Sequence, residues 1–173
     1  MATLETARLV LRPFAADDAS WWRTIREQPG VLRFLPPLGP DPEGRVRELV
    51  GLFAAHWAER GHGPFAVIEK ASGRPVGHHG VRFLPEFGET EALWTLDPAV
   101  HGRGYATEAG RAVLDFAFGP AGLARLIAIT TADNRPSLRV MEKLGFRFER
   151  EAKFKGYDVL LHGLARPAAQ SRA

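Results

Sequence analysis

"HGRGYATEAGRAVLDFAF", residues 101–118, runs straight on from the strand-like "EALWTLDPAV". Gly102 and Gly104 sit at the junction, and helical spacing begins at once, with Ala106, Ala109, Val113, Phe116 and Ala117 on one stripe. A glycine-rich loop that opens a helix lets main-chain N–H groups converge on a phosphate at the positive end of the helix dipole. Four readings compete for such a loop. The plainest is a strand-to-helix turn that two glycines merely shape. A phosphate loop of the G-x-x-x-x-G-K-[ST] kind requires a lysine, which this loop lacks. A dinucleotide fingerprint requires a third glycine where Thr107 stands and an acid about 20 residues on, whereas Asp133 lies farther downstream. The fourth, a diphosphate held by backbone alone, depends on what accompanies the loop.

Working outward, "ARLVLRPF" reads as a first strand with Leu9 and Leu11 on one face, and "DDASWWRTIRE" as a helix capped by Asp17 or Asp18. Asp41 and Pro42 open a second helix, in which Val46, Leu49, Val50, Phe53 and Trp57 keep helical spacing until Gly61. "PFAVIEK", "VGHHGVRFL" and "TEALWTLD" form an antiparallel meander, so the strands entering the loop are hairpins and not part of a βαβ unit. After the helix from Tyr105 to Phe118, "ARLIAITT" reads as a strand buried on both faces. In "ADNRPSLRVMEKLGF", Asn134 caps a helix striped by Leu138, Met141 and Leu144, and Gly145 supplies a left-handed end. "FRFEREAKF" and "GYDVLLHGLA" close the chain as a hairpin. The order gives an α+β layer protein of seven strands and four helices. Residues 1–166 make a single domain, with 167–173 as a flexible tail.

The bulk numbers bound the rest. The chain has 173 residues, 45% hydrophobic and 25% charged, which suits a globular domain. No apolar run approaches the roughly 20 residues of a membrane span, and "MATLETARLVLRPF" carries charges where a signal peptide needs an apolar core. The expectation is a cytoplasmic protein without membrane partners. Cysteine is absent, which excludes disulfides, thiolate metal sites and a cysteine acyl-enzyme. A net charge of +3 and a pI near 9.7 permit an anionic ligand without requiring one.

Residues 101–106 resemble the pyrophosphate loop of the GNAT N-acetyltransferase superfamily, [Q/R]-x-x-G-x-[G/A], written here as His101, Gly102, Arg103, Gly104, Tyr105 and Ala106. "LETARLVLRPF" is similar to the opening strand of the branch that contains the ribosomal-protein-alanine acetyltransferases, and "GRGYATEA" to that branch's loop. "ADNRPSLRVMEKLGF" matches the branch's N-x-x-S-x-x-x-x-x-K-x-G-F at Asn134, Ser137, Lys143, Gly145 and Phe146. The likeness runs from about Glu5 to Arg166. His101 stands where glutamine or arginine is usual, and Leu93 and Trp94 where glycine and tyrosine are common.

The resemblance implies a mixed, mostly antiparallel sheet whose two central parallel strands splay apart to hold CoA. It implies acetyl transfer from acetyl-CoA, as cosubstrate, to a primary amine on a small molecule or a peptide. The amine arrives as an ammonium ion and must lose a proton, so a base is needed within reach, as is a donor for the developing oxyanion. With no cysteine and no G-x-S-x-G elbow, the expected route is direct attack in a ternary complex. Glu91 matches the family's glutamate on the strand entering the loop and is the candidate base; a solvated strand glutamate is its plain alternative. Ser137 is the candidate acid, in the first turn of its helix, where a capping serine is the competing role.

For the cofactor, the resemblance assigns the loop from His101 through Thr107, with Arg103 and Tyr105 included, and the backbone of Trp94, Thr95 and Leu96 to the pantetheine arm. Asn134, Ser137 and Lys143 complete that set. Arg26, Phe34 and Leu35 belong to the acceptor wall, and Asp158 serves substrate or structure. No metal is expected: His78 and His79 are adjacent on a strand and point to opposite faces. Trp21, Trp22 and Trp57 read as core. A homodimer is common in the branch. Two other classes remain: an acyl-CoA-binding module without catalysis, and an RNA-binding protein built on "GFRFEREAKFKGY". Glu149, Glu151 and Asp158 in or beside that segment would repel a nucleic acid.

Overall fold

Leu9 and Leu11, alternate residues of the first strand, are both fully buried, as a half-buried strand requires. The structure, a computed structural model, describes residues 2–168. The tail expected from residue 167 lies, from residue 169 on, outside the described residues. Among the described residues eight strands form one sheet: β1 (Leu4–Glu5), β2 (Leu9–Pro13), β3 (Pro64–Glu69), β4 (Pro75–Leu84), β5 (Glu89–Leu96), β6 (Arg125–Thr130), β7 (Arg147–Phe154) and β8 (Tyr157–Ala165). Their spatial order is β1-β2-β3-β4-β5-β6-β8-β7. Five helices accompany it: α1 (Ala19–Arg26), α2 (Pro29–Leu32), α3 (Pro42–Arg60), α4 (Tyr105–Phe118) and α5 (Arg135–Leu144).

The expected seven strands and four helices are thus exceeded by one each. β1 is two residues long, paired with Val10 and Leu11, and α2 is a single turn opened by Pro29. Neither is long enough to show a period. Asp18 departs from expectation too. It precedes α1 but makes no capping bond there. Its buried carboxylate instead receives both terminal nitrogens of Arg12, at 2.7 and 2.8 Å, with the Ala15 N–H and Trp21 Nε1. Burial resists that charge, but these donors outweigh it and hold the carboxyl below its usual range.

The sheet carries a core on each face. Phe65 and Val67 of β3 join the cluster under α4 and α5, while Ala66 joins Phe14, Trp22, Ile25, Val46 and Phe53 under α1 and α3. Trp57 reaches Phe65 and Phe116, with ring centroids 4.9 and 5.8 Å away. The α3 ends follow the sequence: Asp41 accepts from the Gly44 N–H at 3.0 Å, and Gly61 closes the helix at φ 71°.

All strand pairs are antiparallel except β5 with β6, which meet at one register position, Glu91 opposite Ile127. Past it, residues 92–96 and 128–130 part. Each strand stays fixed on its other side, β5 through Leu96 opposite Gly77 and β6 through Thr130 opposite Leu160. The two strands run parallel and each is followed by a helix, so the N-termini of α4 and α5 both stand at the open end of the gap.

Two glycines test this packing in opposite directions. A Cβ on Gly80 would lie 2.5 Å from Pro64 Cα and 2.6 Å from the Gly63 carbonyl oxygen, both backbone atoms that cannot give. Gly80→Ala should lower the stability measured by urea unfolding by about 1–3 kcal/mol. Gly51 lies on the exposed side of α3 with nothing within 4 Å of a new Cβ, so Gly51→Ala should raise stability by about 0.5–1 kcal/mol.

Candidate active site

At the start of α4 the backbone is bare. Gly102 and Gly104 adopt left-handed φ values of 79° and 80°, and a Cβ on Gly102 would touch nothing within 4 Å. The N–H groups of Gly102, Gly104, Tyr105, Ala106 and Thr107 meet no acceptor among the described residues, and the first helical bond closes at Glu108. Five unpaired donors therefore lie at or just before the start of α4, where the helix dipole is positive.

The loop's side chains are pinned elsewhere. His101 Nε2 sits 3.1 Å from the Leu96 carbonyl oxygen. The Tyr105 hydroxyl donates to Glu69 at 2.6 Å, and Arg103 reaches the same carboxylate at 3.4 Å. Hydrogen bonds from Ser72 and Tyr105 hold the Glu69 carboxyl below its usual range, and Glu69 in turn pushes the Tyr105 phenol up. Arg8 lies over the Tyr105 ring at 4.6 Å and bonds Glu108 at 2.7 Å, and Thr6 meets the same Glu108 at 2.6 Å. Glu69, Arg8 and Glu108 are the anchors that the sequence did not reveal. Small residues in α4 complete the placement: a Cβ on Gly110 would lie 2.6 Å from Leu144 and 3.1 Å from His79 Nε2, so the helix sits close on the sheet.

Across the gap, Asn134 Oδ1 accepts the Ser137 N–H at 3.3 Å, which caps α5. The half-buried Ser137 hydroxyl has no partner among the described residues and stays available. Lys143 is exposed in the last turn of α5, where a cation suits the negative end of the dipole. Trp94 and Leu96 turn their side chains toward the α4 side, and Trp94 stacks on His79 at 5.2 Å. With Thr95 they present backbone along the edge of the gap.

Glu91 lies at the closed end of that gap, 5% exposed, with Arg82 Nε donating to its Oε2 at 2.9 Å. Burial pushes its pKa up, and the charge and hydrogen bond of Arg82 oppose the rise. A solvated strand glutamate would show neither the burial nor the shift. Arg82 was missed, although a signal existed. The four-residue turn at 85–88 puts Leu84 opposite Glu89, so counting back pairs Arg82 with Glu91.

On the same side, Arg26 is buried and donates to the Pro36 carbonyl at 2.9 Å. Phe34 is half-buried beside Arg33, and Leu35 packs on the α1–α3 core. Arg33 pairs with Asp133 at 3.0 Å, which ties this segment to the loop before α5. Asp158 is not brought in. It is exposed and paired with Lys153 at 2.7 Å along the last hairpin.

His78 and His79 point to opposite faces. His78 is ringed by Trp22, Phe53 and Phe14, and neither ring has a hydrogen-bond partner for either nitrogen. Among the described residues no cluster of three His, Asp or Glu side chains is placed to hold a metal ion. Nor is any helix there long and apolar enough to cross a membrane. Burial pulls the His79 pKa down to about 3. It also holds His78 well below its usual value, with His79, Arg82 and Arg26 adding repulsion. Both rings are neutral when folded and protonate near pH 6.5 when unfolded. The stability linked to them is therefore whole above pH 6.5 and lost as pH falls below it. Urea unfolding should lose about 1.4 kcal/mol per pH unit for each ring between about pH 6 and 4. His78→Phe should flatten that slope, and an unchanged slope would refute the assignment.

Comparison with known proteins accords with this geometry. The family model for the acetyltransferase (GNAT) domain matches residues 8–147. The chain is 33% identical over 157 residues to a Bacillus subtilis (strain 168) protein described as the uncharacterized N-acetyltransferase YnaD, covering 88% of this chain and 85% of that one. It superposes on the crystal structure of an acetyltransferase from Agrobacterium tumefaciens with a TM-score of 0.84 and 29% identity, over 95% and 94% of the two chains. It also resembles Mycobacterium smegmatis RimJ in complex with CoA-disulfide, with a TM-score of 0.75 and 25% identity over 91% and 81%.

Proposed function

The chain belongs to the GNAT acetyltransferase family, and on that premise we propose that it moves the acetyl group of acetyl-CoA directly onto a primary amine while both are bound. The observation that carries this reading is the single gap in the sheet, with five free amides at its open end and a buried carboxylate at its closed end. The residues fit the coenzyme. The amides of Gly102, Gly104, Tyr105, Ala106 and Thr107 would receive the diphosphate. The side of residues 92–96 that faces away from β4 would take the two pantetheine amides as a strand edge takes a peptide, and Asn134 borders the same arm. Acetyl-CoA supplies a thioester carbonyl open to attack and a thiol that leaves.

The remaining chemistry belongs to the chain. Glu91 takes the ammonium proton, either directly or through one water, and its raised pKa brings its basicity toward the working pH. The amide near Leu96 stands as donor to the acetyl oxygen. The Ser137 hydroxyl, in the first turn of α5, returns a proton to the departing sulfur. The acceptor amine sits on a small molecule or at a peptide terminus. The likeness to RimJ in complex with CoA-disulfide supports coenzyme A as the ligand of the gap.

Free-thiol release from acetyl-CoA over an amine panel tests the reading. Glu91→Gln should lower kcat by about 10²–10⁴ at neutral pH while leaving CoA affinity in a thermal-shift titration within about twofold. Arg82→Gln removes the charge that holds the Glu91 pKa down, so the acid limb of the kcat/KM profile should move to higher pH. An acetyl group found on the protein after acetyl-CoA alone would overturn direct attack.

A further inference from the structure

Arg26 is a buried cation with no ion-pair partner among the described residues. It lies in the last turn of α1 at 8% exposure, and its one hydrogen bond runs to the Pro36 carbonyl. Its Nε is buried without a partner, and among the described residues no carboxylate lies within ion-pair distance. Its charged neighbours make matters worse. Burial pulls its pKa down to about 10, and Arg45 and Arg82 add repulsion. Those two have acids of their own: Arg45 pairs with Glu48 and Arg82 with Glu91. A desolvated guanidinium without a counter-ion is strongly unfavourable, and a hydrogen bond to one carbonyl does not require a charge. One negative charge is therefore missing from this place.

Arg82, whose charge acts on Arg26, lines an open groove. A groove of about 460 Å³ runs between α3 and the end of β4, walled by Leu49, Leu52, Phe53 and Phe83, with Arg82 and Lys155 as its cations. Glu59 and Glu86 border the same groove. Arg82 spends Nε on Glu91, and its two terminal nitrogens meet no acceptor among the described residues. A guanidinium carries five donors in a fork that matches a carboxylate. Arg82 thus lines the groove, touches the candidate base and lies within electrostatic reach of Arg26.

We infer that the acceptor is an amine that also carries a carboxylate, received by Arg26 and Arg82 while the amine faces Glu91. This rests on the acetyl-transfer reading of the site. A single unpaired guanidinium fits a singly charged carboxylate better than a phosphate, which carries nearly two charges at neutral pH. The apolar wall accommodates the body of such a molecule. The carboxylate comes either from the α-position of a free amino acid or from an acidic side chain near a peptide terminus.

The experiment compares matched acceptors in thiol release. L-Phenylalanine is set against L-phenylalaninamide, and the peptide amide Ser-Glu-Phe against Ser-Gln-Phe. In at least one pair the carboxylate member should have kcat/KM about tenfold higher or more, the factor that a charge-assisted hydrogen bond provides. The pair that responds identifies the source. Arg26→Gln should bring that ratio close to one. A second measurement needs no turnover. With CoA saturating, 3-phenylpropanoate should raise Tm more than 3-phenylpropanamide does, and Arg26→Gln should abolish the difference. That variant alone should leave Tm unchanged or raise it, because it removes an unpaired buried charge; a purely structural arginine predicts a fall. Thiol release on neutral amines with no preference for carboxylates in either assay overturns the inference and leaves acetyl transfer standing. A preference that survives in Arg26→Gln, or a clear fall in that variant's Tm, also overturns it. Failure of every amine to release thiol sinks acetyl transfer, and the Tm comparison still judges the carboxylate site.

Discussion

Between β5 and β6 the ladder closes at the pair of Glu91 with Ile127, and the other features of the molecule serve to keep the gap beyond it open and rigid. Unpaired backbone is unfavourable unless a partner or water meets it. The walls of the gap hold their shape because each strand is paired on its far side as far as its end. Parallel strands also send both following helices to the same end. The chain's topology thus puts two helix N-termini at the open mouth without any further instruction. Small residues at Ala106, Ala109 and Gly110 then let α4 settle close enough for its free amides to border the opening.

Charge is handled differently at the two ends. At the mouth, Glu69 at the end of β3 gathers Arg103 and Tyr105, and Glu108 in the first turn of α4 gathers Arg8 and Thr6. That leaves uncharged N–H groups to define the surface. At the closed end, Glu91, Arg82 and Arg26 are kept near or inside the sheet, where the dielectric is low and each unit of charge matters more. The first arrangement suits holding a polyanion by dipoles, and the second suits moving one proton.

The sequence made the local features legible. Helices α3 and α5 announce themselves through Asp41, Asn134, Gly61 and Gly145, because caps and left-handed ends are decided within a few residues. The alternation of Leu9 with Leu11, and of His78 with His79, placed side chains on the correct faces. What escaped was either too short or too distant. β1 and α2 are each only about one period long, so neither repeats a pattern. Asp18 has the look of a cap, but Arg12 and Trp21 claim its carboxylate. Glu69 grips Tyr105 from 36 positions away, and nothing in its neighbourhood marks it. Arg82 lay between these cases, hidden from motif reading yet recoverable from the register of a four-residue turn. The site therefore divides along the same line. Its loop and helix ends were visible in the sequence, whereas the electrostatic setting of Glu91 emerged only when strands were aligned.

The strand order also bears on how the molecule is made. From β1 to β6 each strand lies beside its sequence neighbour, so the sheet can grow in chain order as a nascent chain emerges: β1–β2 and β3–β4–β5 close by short turns, while residues 14–63, with α1 to α3, separate β2 from β3. The second wall of the gap cannot arrive until α4 has been synthesised and has crossed over. β8, which fixes that wall from its far side, comes later still, and contacts about a hundred positions apart tie residues 6 and 8 to Glu108 and Arg33 to Asp133. Biosynthesis thus completes the scaffold first and the cleft last.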